Sequence, residues 1–325
     1  MDAPFGRSIV TTALNGKLVL WTEEEPKKVH TLTIDSHSID AEKITGKWNT
    51  LDATGDIHPG IANPAHLVHD QTIFICGGSD GSTLTNALTT LSSSGHFTRL
   101  HPTGEIPSPR MGHCGFTHND GIYFFGGMVK EPDDSRREDF IEKDDKWWST
   151  ELFWYDADSN CSSYIVTTGA RPLPKGHLAI AKIDDGVLIH GGEGRYWHDC
   201  SFSLLNMNTH QWTRINQYST RFLLLSMERL SSNQVFCLSL EEVLERAESG
   251  VYNQLQIFRA DSSSWIPMGK IIRDFAPKYP FHVATAQVAK QNGTVVFCFA
   301  DGEPRRIFVL DLTYKDGLPR SHQTE

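Results

Sequence analysis

The chain has 325 residues, 39% of them hydrophobic and 10% aromatic, which is ample for a sizeable core. Its formal net charge of −10, from 40 acidic and 30 basic residues, argues against a general nucleic-acid binder, which must neutralise phosphates with Lys and Arg. The start lacks the basic and apolar regions of a signal peptide, and no apolar run approaches the roughly eighteen residues of a membrane span. The expectation is therefore a cytoplasmic or nuclear protein with neither nucleic acid nor membrane as partner.

Taken in order, residues 8–14 and 17–21 read as strands about an Asn-Gly turn, a strong hairpin signal. Residues 30–35 and 48–51 read as two further strands around an insertion, 36–47. After the turn Thr54-Gly-Asp-Ile-His-Pro59, a second unit runs through His66-Leu-Val, the apolar strand 72–76 ending in Gly77-Gly78, a weak strand 87–91 and a strand 97–100. A third unit follows Thr103-Gly-Glu-Ile-Pro-Ser-Pro-Arg-Met-Gly-His113, with the run Gly121-Ile-Tyr-Phe-Phe-Gly-Gly127 and a strand 151–155. Between them residues 131–145 carry eight carboxylates against Arg136, Arg137 and Lys143, a net charge of −5 that predicts a solvated loop beside Trp147 and Trp148. The fourth unit has the cleanest pattern, from Gly176-His177 through Gly186-Val-Leu-Ile-His-Gly-Gly192 to Trp212-Thr-Arg-Ile215. In the fifth, strands 222–227, 234–240, 255–258 and 265–268 surround residues 241–249, which read as a helical turn or two, and Ser239-Leu240 replaces the glycine pair. The sixth offers strands 281–289, 294–300 and 306–312, no fourth strand, and a polar tail, 315–325; N-terminal residues 4–8 are expected to brace that edge.

An apolar strand, a glycine pair, a further strand, a turn and a Trp recur with a period of about 50 residues, as in a propeller blade. The pattern resembles the Kelch repeat. That resemblance implies an all-β, six-bladed propeller over residues 1–325 as a single domain, with blades one, five and six degenerate.

Candidate chemistry was sought next. His66, His113, His177 and His282 fall one per unit at the start of a first strand, too far apart around a propeller to share an ion, so they are expected to bond across turns. No H-x₃-H, HExxH or Cys-x-x-Cys arrangement occurs, and neither GxxxxGK[ST] nor GxGxxG is present to cradle a phosphate. Asp144-Asp145 are merely adjacent, and Asp184-Asp185 reads as a hairpin turn. Cys76, Cys237 and Cys298 occupy equivalent strand positions and are expected to be reduced, structural thiols. No catalytic residue, metal or cofactor is assigned, and the chain is read as a non-enzyme. Recognition remains. The loops of one propeller face would present Arg110, Trp147, Trp148, Lys175, Arg195, Tyr196, Trp197, His198, Arg221 and Arg305, residue types that dominate binding energy and grip carboxylates.

Residues 48–215 further resemble the Kelch-domain receptors of cullin-RING ubiquitin ligases that read substrate C-termini. The Gly-Asp-Ile-His-Pro and Gly-Glu-Ile-Pro-Ser-Pro-Arg junctions, the insertion with paired tryptophans and the Thr168-Gly-Ala-Arg-Pro-Leu-Pro stretch carry the likeness. It implies a protein or peptide ligand and cullin-RING components as partners. That family places two arginines after the fourth glycine pair, where this sequence has Glu193 and His198 with Arg195 nearby; helices for docking elongin and cullin are not seen after Leu312. The expectation is a diverged relative with a changed partner. Copper oxidases and sugar-isomerising enzymes on the same fold, and actin-binding Kelch proteins, are the competing classes.

Overall fold

The computed structural model describes residues 8–14, 17–34, 46–184, 186–194, 202–215, 222–229, 234–243, 250–259, 262, 264–271, 283–290, 293–300, 306–315 and 318–320. Among them, one 3₁₀ helix apart, every regular element is a strand, and no helix is long and apolar enough to cross a membrane. Six four- or five-stranded sheets follow one another along the chain in a propeller-like arrangement, with a further four-stranded sheet of short strands and a two-stranded sheet between them. Ser8–Leu14, Lys17–Thr22, Lys28–Ile34 and Gly46–Asp52 form the first. The second contains Ala65–His69, Thr72–Cys76, Leu88–Leu91 and His96–Leu100. Cys114–His118, Gly121–Phe125, Leu152–Asp156 and Cys161–Ile165 make the third, and Ala179–Ile183, Gly186–His190, Phe202–Asn206 and Gln211–Ile215 the fourth.

Two expectations are corrected in the last sheets. Glu241–Val243 are not helical: they extend the strand Gln234–Val243 and pair with Gly250–Tyr252 in a long hairpin. The sixth sheet has a fourth strand, Leu318–Arg320, paired with Thr313–Lys315. The two residues between these strands are Asp316-Gly317, a strong hairpin signal that the reading of a polar tail overlooked. Residues 4–7 lie outside the described residues.

Successive sheets pack face to face. Leu14, Val19, Trp21 and Val29 of the first meet Ile73, Ile75, Leu91 and Phe97 of the second. Phe125 and Leu152 of the third meet Val187, Ile189 and Trp212 of the fourth, and Phe202 of the fourth stacks on Phe258 of the fifth at 4.5 Å. The first strands are neighbours in turn, and Ser8–Leu14 lies beside both Ala65–His69 and Val283–Lys290. In the first sheet Trp21-Thr22 replaces a glycine pair; Trp21 is wholly buried and its indole N–H donates to the Pro26 carbonyl at 3.0 Å.

Glycine is required at the pairs and at the junctions. Gly77-Gly78, Gly126-Gly127 and Gly191-Gly192 all have φ between 68° and 94°, a left-handed backbone in which a Cβ is strained. The residues after each pair turn back onto those preceding the unit's first strand: Ser79 bridges Ala62, Met128 pairs with Met111, and Glu193 with Gly176. Thr54-Gly55, Thr103-Gly104 and Thr168-Gly169 each add a parallel strand to the outer edge of the sheet that the chain is about to build. This covers a row of unpaired backbone groups that would otherwise invite aggregation. A Cβ on Gly55 would be driven into the Phe97 carbonyl oxygen, at φ +75°. Gly55→Ala is expected to cost at least about 2 kcal/mol, the left-handed penalty plus the clash; chemical denaturation measures it, and an unchanged midpoint would refute the edge-cap role.

Candidate functional site

The sequence between Gly127 and Glu151 folds into more than a loop. Asp133 accepts from the Ser135 amide and caps a 3₁₀ helix, Asp134–Asp139. Phe140–Lys143 and Lys146–Ser149 then form a hairpin whose two-residue turn is Asp144-Asp145, both at positive φ. The hairpin joins Met128–Val129 and Arg110–Met111 in a four-stranded sheet. Strand alternation puts Trp148 inward, buried against Gly176 of the next unit, and leaves Trp147 half-buried with the Arg137 guanidinium 4.1 Å from its ring centre. The expectation of a simple solvated loop is thereby corrected: buried Phe140 and Trp148 give the insertion an apolar floor.

Beneath it lies a charged network. The Glu151 carboxylate, 1% exposed, accepts from Arg110 at 2.5 Å through one oxygen and from Arg136 at 2.9 Å through the other. Arg110, 2% exposed, also donates to the Gly126 and Ser108 carbonyls and to the Ser108 hydroxyl. Arg136 continues to Asp133 at 2.7 Å and Glu105 at 3.7 Å, and lies over the Tyr164 ring. Asp139 pairs with Arg171 and accepts from the Tyr164 hydroxyl at 2.6 Å. Burial and that bond to Asp139 hold the Tyr164 phenol above its ordinary range. Each buried charge thus has a partner, as burial demands.

Two imidazoles on the other side are neutral. His58 bonds Thr89 and the Gly77 carbonyl at 2.9 and 2.8 Å, and burial holds its pKa down at about 4. His113 is buried with both ring nitrogens unpartnered, and burial, then the Arg110 charge, push it well below the ordinary range. Its ring packs over Gly77 of the preceding unit, and that of His177 over Gly112, so both rings reach between units. No group of three or more His, Cys, Asp or Glu able to hold a metal occurs among the described residues. Cys76, Cys114 and Cys237 are buried free thiols, the first two pushed up to about 12 by burial.

Of the residues expected to recognise a partner, Arg110 and Trp148 are buried, Trp147 is stacked under Arg137, and Lys175 is 5% exposed in the strand pair with Gly194. Arg110 is a structural linchpin of the insertion rather than an accessible grip. Arg195, Tyr196, Trp197, His198, Arg221 and Arg305 lie outside the described residues. Glu151, Asp139, Arg136, Arg171 and Tyr164 were not anticipated. The one available signal was a carboxylate opening an otherwise apolar strand, Glu151-Leu-Phe-Trp-Tyr.

Residues 6–222 match the family model of the KLHDC2/KLHL20/DRC7 Kelch-repeats domain. The chain belongs to this Kelch-repeat family. Similar Kelch-repeat relatives include Kelch domain-containing protein 2 of Bos taurus, 23% identical over 184 residues, covering 53% of this chain and 45% of that protein. Tip elongation aberrant protein 1 of Schizosaccharomyces pombe is 27% identical over 205 residues, covering 58% and 17%. The match therefore spans less than half the length of either relative. Among solved structures, YjhT superposes with a TM-score of 0.68 over 99% of both chains at 12% identity, a likeness of fold alone.

Proposed function

We propose that the chain is a non-enzymatic protein- or peptide-binding module, a closed six-bladed Kelch propeller, with blades one, five and six degenerate, that engages its ligand through the loop face. The carrying observation is the folded insertion: in a Kelch-family chain, a 3₁₀ helix and a hairpin are anchored by Arg136, which shares the buried Glu151 carboxylate with Arg110. Rigid loops lose less entropy on binding, which is what a recognition surface needs. The finer reading is a receptor or scaffold in ubiquitin-dependent turnover, working with cullin-RING components in the cytoplasm or nucleus. It is supported by the resemblance of residues 48–215 to such receptors.

An affinity pull-down compares the intact chain with an Arg195→Ala/Trp197→Ala variant. A defined set of proteins is expected with the intact chain, cullin or elongin subunits among them, and the variant loses the ligands while keeping the ligase subunits. Enrichment of nothing above a bead control overturns the binding reading. Ligands without cullin or elongin overturn the ligase part alone.

A further inference from the structure

Among the residues whose burial is described, the large hydrophobic side chains left exposed are Ile106, Val166 and Leu173, at 44%, 70% and 37%. Isolated exposed aliphatics are ordinary, but a grouping of them marks an interaction site. These three are far apart in sequence, yet all flank one network. Ile106 follows Glu105, whose amide donates to Ser162 and whose carboxylate accepts from the Tyr164 amide at 3.1 Å. Val166 lies two residues beyond Tyr164. Leu173 lies two beyond Arg171, which pairs with Asp139, the acceptor of the Tyr164 hydroxyl. Two residues of chain reach at most about 7 Å, so Val166 lies close to Tyr164, Ile106 follows the residue bonded to its amide, and Leu173 is tied to it through Arg171 and Asp139.

The acidic insertion adjoins this network, Arg136 pairing with Glu105 and Asp139 with Arg171 and the Tyr164 hydroxyl. Asp133 and Asp139 are spent on arginines, whereas the carboxylates of Glu131, Glu138, Glu142 and Asp145 are on exposed residues. Residues 131–145 keep a net charge of −5. An apolar centre with a charged rim is the anatomy of a protein interface, and the sign of the rim selects the partner by attraction and by repulsion of acidic competitors. We propose that the patch of Ile106, Val166 and Leu173 binds a segment of a partner protein whose aliphatic side chains are flanked by Lys or Arg. This rests on the protein-binding reading and assigns it a subsite.

The test pans a phage-displayed random peptide library against the full chain and measures recovered peptides by fluorescence anisotropy. The expected consensus is an aliphatic pair with flanking basic residues, bound more weakly as salt rises. Ile106→Asp/Val166→Asp/Leu173→Asp is expected to weaken binding about tenfold or more, since buried anchors each contribute over 1 kcal/mol. Glu131→Lys/Glu138→Lys/Glu142→Lys weakens it comparably. Melting curves like that of the parent show that the exposed substitutions leave the fold intact. Peptides that bind the triple-Asp variant normally but lose the Arg195→Ala/Trp197→Ala variant overturn the patch and leave the wider reading standing. An acidic consensus, or no selected peptide, also overturns the patch; the pull-down decides the wider reading separately.

Discussion

Glu151→Ala is expected to destabilise the protein by about 3–5 kcal/mol, the range for removing one partner of a buried ion pair. The reason is electrostatic. Arg110 is 2% exposed and Arg136 is 21% exposed, and both point charges at the same carboxylate, itself 1% exposed. Without it Arg110 keeps only neutral acceptors, the Ser108 and Gly126 carbonyls and the Ser108 hydroxyl, which take three of its five N–H protons and leave its charge uncompensated. Urea denaturation at pH 7 reads the loss. The companion Arg110→Met/Glu151→Leu should recover most of it, because swapping a buried pair for apolar groups of similar size is often nearly neutral. If single and double variants lose stability equally, packing against Phe153 rather than charge pairing explains the site.

Stability is also expected to fall as pH drops from 7 to 5, by about 2 kcal/mol through His58 alone. The sign follows from the depressed imidazole, at about 4 in the fold and 6.5 when released. Between those values the unfolded chain binds the extra proton, so the stabilisation is complete above 6.5 and is lost as pH falls toward 4. His113, pushed down by burial and by Arg110, acts in the same direction. Urea midpoints at the two pH values measure the slope. His58→Gln should be less stable at pH 7, losing a bond to Thr89 or to the Gly77 carbonyl, but should show a shallower pH dependence. An unchanged slope in that variant would place the acid sensitivity elsewhere.

Much of the scaffold was written locally. The strand boundaries of the second, third and fourth sheets follow from apolar runs ending in Gly77-Gly78, Gly126-Gly127 and Gly191-Gly192, because a left-handed backbone after a strand needs glycine whatever surrounds it. Asp316-Gly317 carries the same kind of information, while Glu241–Val243 fit helix and strand alike because short helical and strand patterns overlap. Function was less legible. Arg110 reads as an exposed grip until its partner is known, and that partner lies 41 residues away. Arg171 and Asp139 are 32 apart. Composition determined an acidic chain, and the repeat determined its sheets, since both depend on residues close in sequence. Only the tertiary structure decided that Arg110 and Glu151 are buried together and that Arg171 meets Asp139 beside Tyr164. Burial and ion pairing are set by which strands the fold brings side by side, and no local pattern encodes that.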